Sequence, residues 1–374
     1  MELFDVYPLY DITPVSALGS TITDASGKEY LDLYGGHAVI SIGHRHPHYV
    51  KRIKNQLDRI GFYSNAVQNP LQQQLASKLG ELSGCDSYQL FLCNSGAEAN
   101  ENALKLASFH TGKSRVLAFD NSFHGRTSAA VAATDNPAIN APINKQQKVT
   151  FLALEDVASL ELELKKGDVC AVILEAIQGV GGLDEPSTQF YQKVASACKT
   201  HGVVLIADEV QSGFGRSGKF FAFQHHGITP DIISIAKGMG NGFPVGGIMI
   251  QKHIKPSYGL LGTTFGGNHL ACAATLAVLE VLEEENLINN AAELGIYFRN
   301  AAQNIPQVLR VKGRGLMLGL EFNFDVGELR KKLIYDHHIF TGSAKDKKVL
   351  RILPALNINE AHIDQFYSAL KKEL

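Results

Sequence analysis

The 374-residue chain has no tryptophan, four methionines and only five cysteines. Cys85, Cys93, Cys170, Cys198 and Cys272 include no C-x-x-C pair and are odd in number. That pattern argues against a disulfide framework and against a thiolate zinc site, so a reducing, cytoplasmic setting is expected. No apolar run reaches the ~20 residues a bilayer crossing needs. The most apolar stretches, Val169–Ile177 and Leu270–Leu282, read instead as a buried strand and a buried helix. The start, Met1–Asp5, lacks the basic and apolar regions of an export signal. Neither sign of charge dominates: 35 basic residues oppose 37 acidic ones, for a net charge of −2. Lysine and arginine are spread along the chain rather than striped, which argues against a nucleic-acid partner. A membrane partner is not expected either.

Apolar residues make up 45% of the chain, ample for a sizeable core. Glycine is abundant, 35 residues or about 9% against a usual ~7%, and it is clustered where backbone must turn or approach a ligand. No repeat or low-complexity tract interrupts the sequence. Short β-branched or aromatic runs recur at Tyr88–Cys93, Arg115–Phe119, Lys148–Leu152, Cys170–Glu175, Val203–Ala207, Ile232–Ile235 and Gly247–Ile250. Helical stretches such as Ala97–His110 and Ser187–His201 lie between several of them. This alternation predicts an α/β fold with a mainly parallel sheet covered on both faces, whose ligands sit at the carboxyl ends of the strands. The two ends of the chain differ, with a hairpin-like Ser20–Leu33, long helices at Leu270–Glu285 and Ala291–Gln303, and short strands near Leu316–Phe322 and Val349–Leu353. We assign residues 46–274 to a large domain, and 1–45 with 275–374 to a smaller α+β domain.

Asn94–Glu98 follows a strand and opens a helix, with Ser95 and Glu98 spaced as a capping box. Free amides at a helix start favour an anion such as phosphate, although the same residues also read as an ordinary cap. Phe123 and Arg126 stand in the loop after Arg115–Phe119. Phe123 could stack on a planar ring and Arg126 could clamp a carboxylate; a core phenylalanine beside a surface arginine fits equally. Val203–Ala207 ends in Asp208-Glu209-Val210-Gln211, and 29 residues after Asp208 a second apolar strand ends in Lys237 before a glycine-rich loop. A lysine set among apolar residues is poised to be neutral and to condense with an aldehyde. An acid at the carboxyl end of a nearby strand could keep a pyridine nitrogen protonated.

Five segments then occur in one order: Ser95–Glu101, Phe123–Thr127, Asp208–Gln211, Ala236–Gly238 and Gly262–Asn268. In this the chain resembles the class III (ornithine-type) aminotransferases over essentially its whole length, and among them those acting on N2-acylated ornithine. The resemblance implies a fold type I transferase with a seven-stranded sheet, and pyridoxal 5′-phosphate held by Lys237 as a Schiff base. It implies that Gly96 and Ala97 bind the phosphate, Phe123 and Val210 cover the two ring faces, Asp208 pairs with the ring nitrogen and Gln211 touches the ring hydroxyl. Thr264 would reach the phosphate of a second copy, making a homodimer with shared sites. Arg126, Thr263, Glu175 and Arg351 would bind substrate. Arg351 would take the α-carboxylate of 2-oxoglutarate or glutamate, and Glu175 would neutralise it when the acyl-ornithine is bound.

Two departures stand out. Val180, in Gln178–Gly182, replaces a glutamate found in many relatives, and Asn268-His269 replaces a common Asn-Pro. The first leaves acetyl and succinyl donors both open. Ornithine itself, 4-aminobutyrate and other ω-amines are alternatives within the class. An inactive cofactor-binding regulatory protein is an alternative outside it. A nicotinamide dehydrogenase is disfavoured, because no strand leads into G-x-G-x-x-G with an acid ~20 residues later. His44, His46 and His48 alternate ahead of or beside Pro47 with no acidic or thiol residue nearby in sequence, so no metal site is expected.

Overall fold

Seven apolar runs become the strands of one sheet in the computed structural model, which describes residues 1–374. Their spatial order is Gln89–Cys93, Gly246–Ile250, Ile232–Ile235, Val204–Asp208, Val169–Leu174, Arg115–Phe119 and Val149–Leu152. All run the same way except Gly246–Ile250, which is antiparallel to both neighbours. The expected strands are therefore present, with no end displaced by more than one residue.

Alternate residues of these strands face opposite ways, and in the five central strands both sets are buried. Val116, Ala118, Ile173, Ile206 and Ile232 pack in a cluster with Ala99, Ala103 and Ala107 of the helix Gly96–Thr111. Leu117, Phe119, Val172, Leu174, Leu205, Ile233 and Ile235 point into the larger core on the other face. Burial on both faces explains why the runs read as nearly continuous apolar sequence. The covering helices start at side-chain caps. Ser95 accepts from the Glu98 amide at 3.2 Å, and Ser187 accepts from Phe190 at 3.1 Å. Gly112 and Gly202 end these two helices in the left-handed conformation.

Two small sheets flank the large one. Pro14–Leu18, Thr21–Asp24 and Glu29–Asp32 form an antiparallel set to which Ile339–Phe340 adds in parallel, Ile339 opposite Leu31. Chain beginning and chain end thus share a sheet. Arg310–Arg314, Met317–Glu321, Val349–Ile352 and Gly342–Ser343 form the other, all antiparallel. The helix His269–Glu284 runs through position 274 without a break. No helix is long and apolar enough to cross a membrane.

Candidate active site

The carboxyl ends of the parallel strands open onto a cavity of about 400 Å³. Nine of the residues singled out in the sequence line it: Gly96, Ala97, Phe123, Arg126, Glu175, Asp208, Val210, Gln211 and Lys237. Val39, Phe243, Pro244 and Val245 supply apolar wall.

Asp208 is the last residue of its strand and sits in register with Ser234, three residues before Lys237 on the next strand. That register brings acid and amine to the same cavity. Buried Asp208 is held by three donors and keeps acceptor capacity on Oδ1. Its Oδ2 accepts from Asn100 Nδ2 at 2.7 Å and lies 2.6 Å from His124 Nδ1, and its Oδ1 accepts from the Val210 amide at 3.0 Å. A carboxylate needs a donor, which assigns the His124 proton to Nδ1. Asn100 also donates to the His124 carbonyl at 2.7 Å, closing the group.

Lys237 is half-buried, forms no ion pair within 4.0 Å and holds a left-handed backbone, φ +50°. Burial pushes its amine down to about 8, and the cations Arg351 and Arg216 push the same way, while Asp208 and Glu175 pull it back up.

The helix start comes close to the sequence reading. The amides of Gly96 and Ala97 begin the helix beside the cavity and have no acceptor within it. The expected capping box closes one residue earlier: Glu98 accepts from the amide and side chain of Asn94, at 3.0 and 2.9 Å, rather than from Ser95. Gly125 locks the Phe123 loop to this helix. Its φ is +133°, and a Cβ there would lie 2.8 Å from Ala97 Cβ. The loop is further tied to the helix by Thr127, which donates to Glu101 at 2.6 Å. Gln211 is buried with its Oε1 unpartnered.

Glu175 and Arg351 are both buried but do not form an ion pair. Glu175 accepts from the amides of Phe123 at 2.9 Å and Gly179 at 2.8 Å. Burial holds its carboxyl well above the usual range. Arg351 donates to the Gly179 carbonyl at 2.7 Å, and its charge lies 6.0 Å from the Tyr34 ring centre. One residue, Gly179, therefore stands between the two, its amide on Glu175 and its carbonyl on Arg351. Arg351, Thr263 and Thr264 do not line the cavity. Thr263 is half-buried and its hydroxyl takes a hydrogen bond from the Gly266 amide at 3.0 Å. Thr264 is exposed on the same turn. Arg126 is exposed at the cavity mouth and makes no ion pair.

Sequence reasoning gave no role to Asn100, His124 or Glu209. Asn100 lies four residues after Gly96, on the same helix face, which was a usable signal. Glu209 is buried and accepts from Ser212 and from the amides of Ala222 and Phe223, so it anchors the following loop. The histidines near Pro47 pair with carboxylates: His44 with Asp32, His46 with Glu285 and His48 with Glu280.

Comparison with known proteins agrees with this geometry. The family model for aminotransferase class-III matches residues 6–374. The acetylornithine aminotransferase of Bacillus subtilis (strain 168) is 39% identical over 379 residues, covering 100% of this chain and 97% of that one. That of Aquifex aeolicus (strain VF5) is 37% identical over 380 residues, covering 100% and 99%. Among solved structures, the ornithine aminotransferase from Toxoplasma gondii ME49 superimposes with a TM-score of 0.89 at 28% identity, covering 98% of this chain and 90% of that one. A cavity built around a buried acid and a depressed lysine, in a chain matched from end to end, leads to one assignment: this protein is an enzyme of the class III aminotransferases.

Proposed function

We propose that the enzyme transfers the δ-amino group of N2-acetyl-L-ornithine to 2-oxoglutarate, yielding N-acetyl-glutamate 5-semialdehyde and L-glutamate, as a step of arginine biosynthesis. The observation that carries this is the pairing of Asp208 and Lys237 at one cavity in a chain whose relatives are named for acetylornithine.

The cofactor of the class is pyridoxal 5′-phosphate, which when bound acts as an electron sink for charge developing on the substrate carbon. The residues present fit it. Lys237 offers an amine for its aldehyde and Asp208 a carboxylate for its ring nitrogen, while the free amides of Gly96 and Ala97 suit its phosphate. Phe123 and Val210 would cover the ring, and the unpartnered Oε1 of Gln211 suits its hydroxyl. Thr264 of a second copy would complete the phosphate site.

Lys237 moves the proton. With a pKa of about 8, roughly one amine in ten is neutral at pH 7, against about one in three thousand for an ordinary lysine. Its Nζ, once free, takes the proton from the substrate carbon and later returns one. Asn100 and His124 hold Asp208 in place through that cycle. Arg351 would bind the α-carboxylate of the 2-oxo acid, exchanging the Gly179 carbonyl for a charged partner. Glu175 would neutralise Arg351 in the other half of the cycle, while Arg126 and Thr263 would face the acyl end of the ornithine.

N2-succinyl-L-ornithine is a second reading. Val180 puts an apolar side chain on the cavity wall, where it cannot repel a further carboxylate, and Arg126 is free to meet one. We also propose a cytoplasmic homodimer with shared sites, supported by exposed Phe62, Tyr63, Val67 and Phe265 around the Thr264 turn. Half-reaction spectra of the cofactor-loaded protein with acetyl-, succinyl- and free ornithine test the assignment. Acetylornithine is expected to react fastest; equal or better reaction of free ornithine would overturn it.

A further inference from the structure

The turn that carries Lys237 is not held by its own strand alone. It spans Lys237–Met239, and both Lys237 and, just beyond it, Asn241 take left-handed conformations, φ +50° and +47°. Such backbone persists in L-residues only where the surroundings impose it. What imposes it here comes from some 200 residues away in sequence.

Asn241 is buried, and its side chain is spent on the segment Ile40–Gly43. Its Oδ1 accepts from the amides of Ser41 at 2.8 Å and Ile42 at 3.1 Å, and its Nδ2 donates to the Gly43 carbonyl at 3.0 Å. Ser41 Oγ donates to the Gly238 carbonyl at 2.7 Å, and Tyr49 donates to the Gly240 carbonyl at 2.7 Å. The segment is fastened on its other edge as well. The Ser41 carbonyl accepts from the Leu356 amide at 2.7 Å, and the Ile42 carbonyl from Asn357 Nδ2 at 3.2 Å. Buried Arg216, which has no carboxylate within 4.0 Å, donates to the carbonyls of Ile40 and Pro354. Ile40–Gly43 is thus a strap. Within it, Ser41 and Ile42 give their amides to the lysine turn and their carbonyls to the stretch that follows Arg351. Asparagine suits the hub because one side chain supplies both acceptor and donor and tolerates the left-handed backbone.

We propose that Asn241 is a positioning residue for Lys237: it fastens the amine-bearing turn to the Ile40–Gly43 strap and, through that strap, sets the amine relative to Arg351. The proposal rests on Lys237 being the reacting amine. A contact that served only to stabilise the fold would leave the proton-transfer step of folded, saturated enzyme unchanged.

The test uses cofactor-loaded Asn241→Gly, which removes the side chain without straining φ. Hydrogen exchange at the Ser41 and Ile42 amides is expected to quicken. Single-turnover rates with both amino donor and 2-oxo acid are expected to fall by about tenfold or more, given that misplacement by ~1 Å can cost ~100-fold. Apparent substrate dissociation constants are expected to stay within about threefold, since no substrate contact is removed. Quickened exchange with single-turnover rates within twofold of the parent would overturn the proposal, and so would unchanged exchange. If Asn241→Gly does not fold, Ser41→Ala breaks the strap's Gly238 tie alone and is read by single-turnover rates: a fall of about tenfold upholds the proposal, and rates within twofold of the parent overturn it. Should the parent protein react with no amine at all, the proposed function fails separately. The visible circular dichroism of the lysine-bound cofactor then decides: a weakened band in Asn241→Gly upholds the tie, and an unchanged band rejects it.

Discussion

Replacing Gly125 with alanine probes how closely the aromatic loop must approach the helix start. The new Cβ would stand 2.8 Å from Ala97 Cβ, 2.9 Å from Ala97 Cα and 3.3 Å from Ala130 Cβ. Carbon atoms settle at about 3.5–4.0 Å, so loop and helix must separate by roughly 0.7–1.2 Å. Overpacking of this kind costs about 1–3 kcal/mol. The φ of +133° adds about 1–3 kcal/mol of backbone strain, against ~0.4–1 kcal/mol recovered from a stiffer unfolded chain. The expected net loss is about 1–6 kcal/mol on these terms. Gly112→Ala is the control: it lies at the other end of the same helix, has φ +69° and finds nothing within 4 Å of its Cβ. It carries the strain without the clash. Chemical denaturation of both variants, with the affinity of each for pyridoxal phosphate, separates the two effects. Gly125→Ala is expected to be the less stable by about 1–3 kcal/mol and to bind cofactor more weakly, while Gly112→Ala keeps parental affinity. Equal stability of the two variants with parental affinity in Gly125→Ala would refute the claim that this contact sets the gap between Phe123 and Ala97.

Arg351→Ala should slow the 2-oxo acid half-reaction far more than the amino-donor half, by about 10- to 150-fold if one charged hydrogen-bonded pair of ~1.5–3 kcal/mol is lost; equal slowing of both halves, read by single-turnover spectra, refutes it. Cofactor capture by the cofactor-free protein should accelerate as pH rises through about 8 and level off above it, because only the neutral amine condenses. Between about 8 and the ordinary lysine value near 10.5 the unfolded chain binds a proton that the folded one lacks, so this lysine's contribution to stability rises with pH across that window. A capture rate that is flat from pH 6 to 10, or centred near 10.5, contradicts the depressed amine. Asn100→Ala should cost about 1–3 kcal/mol by stripping donors from Asp208 and the His124 carbonyl; unchanged unfolding midpoints in denaturant would show those bonds to be dispensable.

Much of the sheet was readable because its five central strands are buried on both faces, which leaves runs such as Val204–Ala207 with no polar interruption. Asp208 and Lys237 were readable for a related reason: each ends such a run, and strand ends of parallel sheets are where ligands bind. The antiparallel course of Gly246–Ile250 was not, since an apolar run carries no sign of its direction. Nor were the partners of Asp208. His124 and Asn100 meet it across 84 and 108 residues of chain, and neither residue type is unusual where it stands. Asn241 was hidden more deeply, because an asparagine among glycines reads as a turn whether or not its side chain holds a distant backbone. For Glu175 and Arg351 the resemblance pointed to a direct pairing in one liganded state. In this structure the backbone of Gly179 partners both, its amide with Glu175 and its carbonyl with Arg351.

The reversed strand Gly246–Ile250 has a consequence for how this site can change. A parallel neighbour would require a crossover to the far edge of the sheet before the chain returned. Because this strand enters at the edge where Ile232–Ile235 leaves, the intervening ten residues, 236–245, stay at that edge, and six of them, Ala236, Lys237, Gly242, Phe243, Pro244 and Val245, form part of the cavity wall. Amine and apolar lining therefore belong to one short hairpin. Insertions or exchanges at its tip can reshape the entrance while every crossover helix stays where it is.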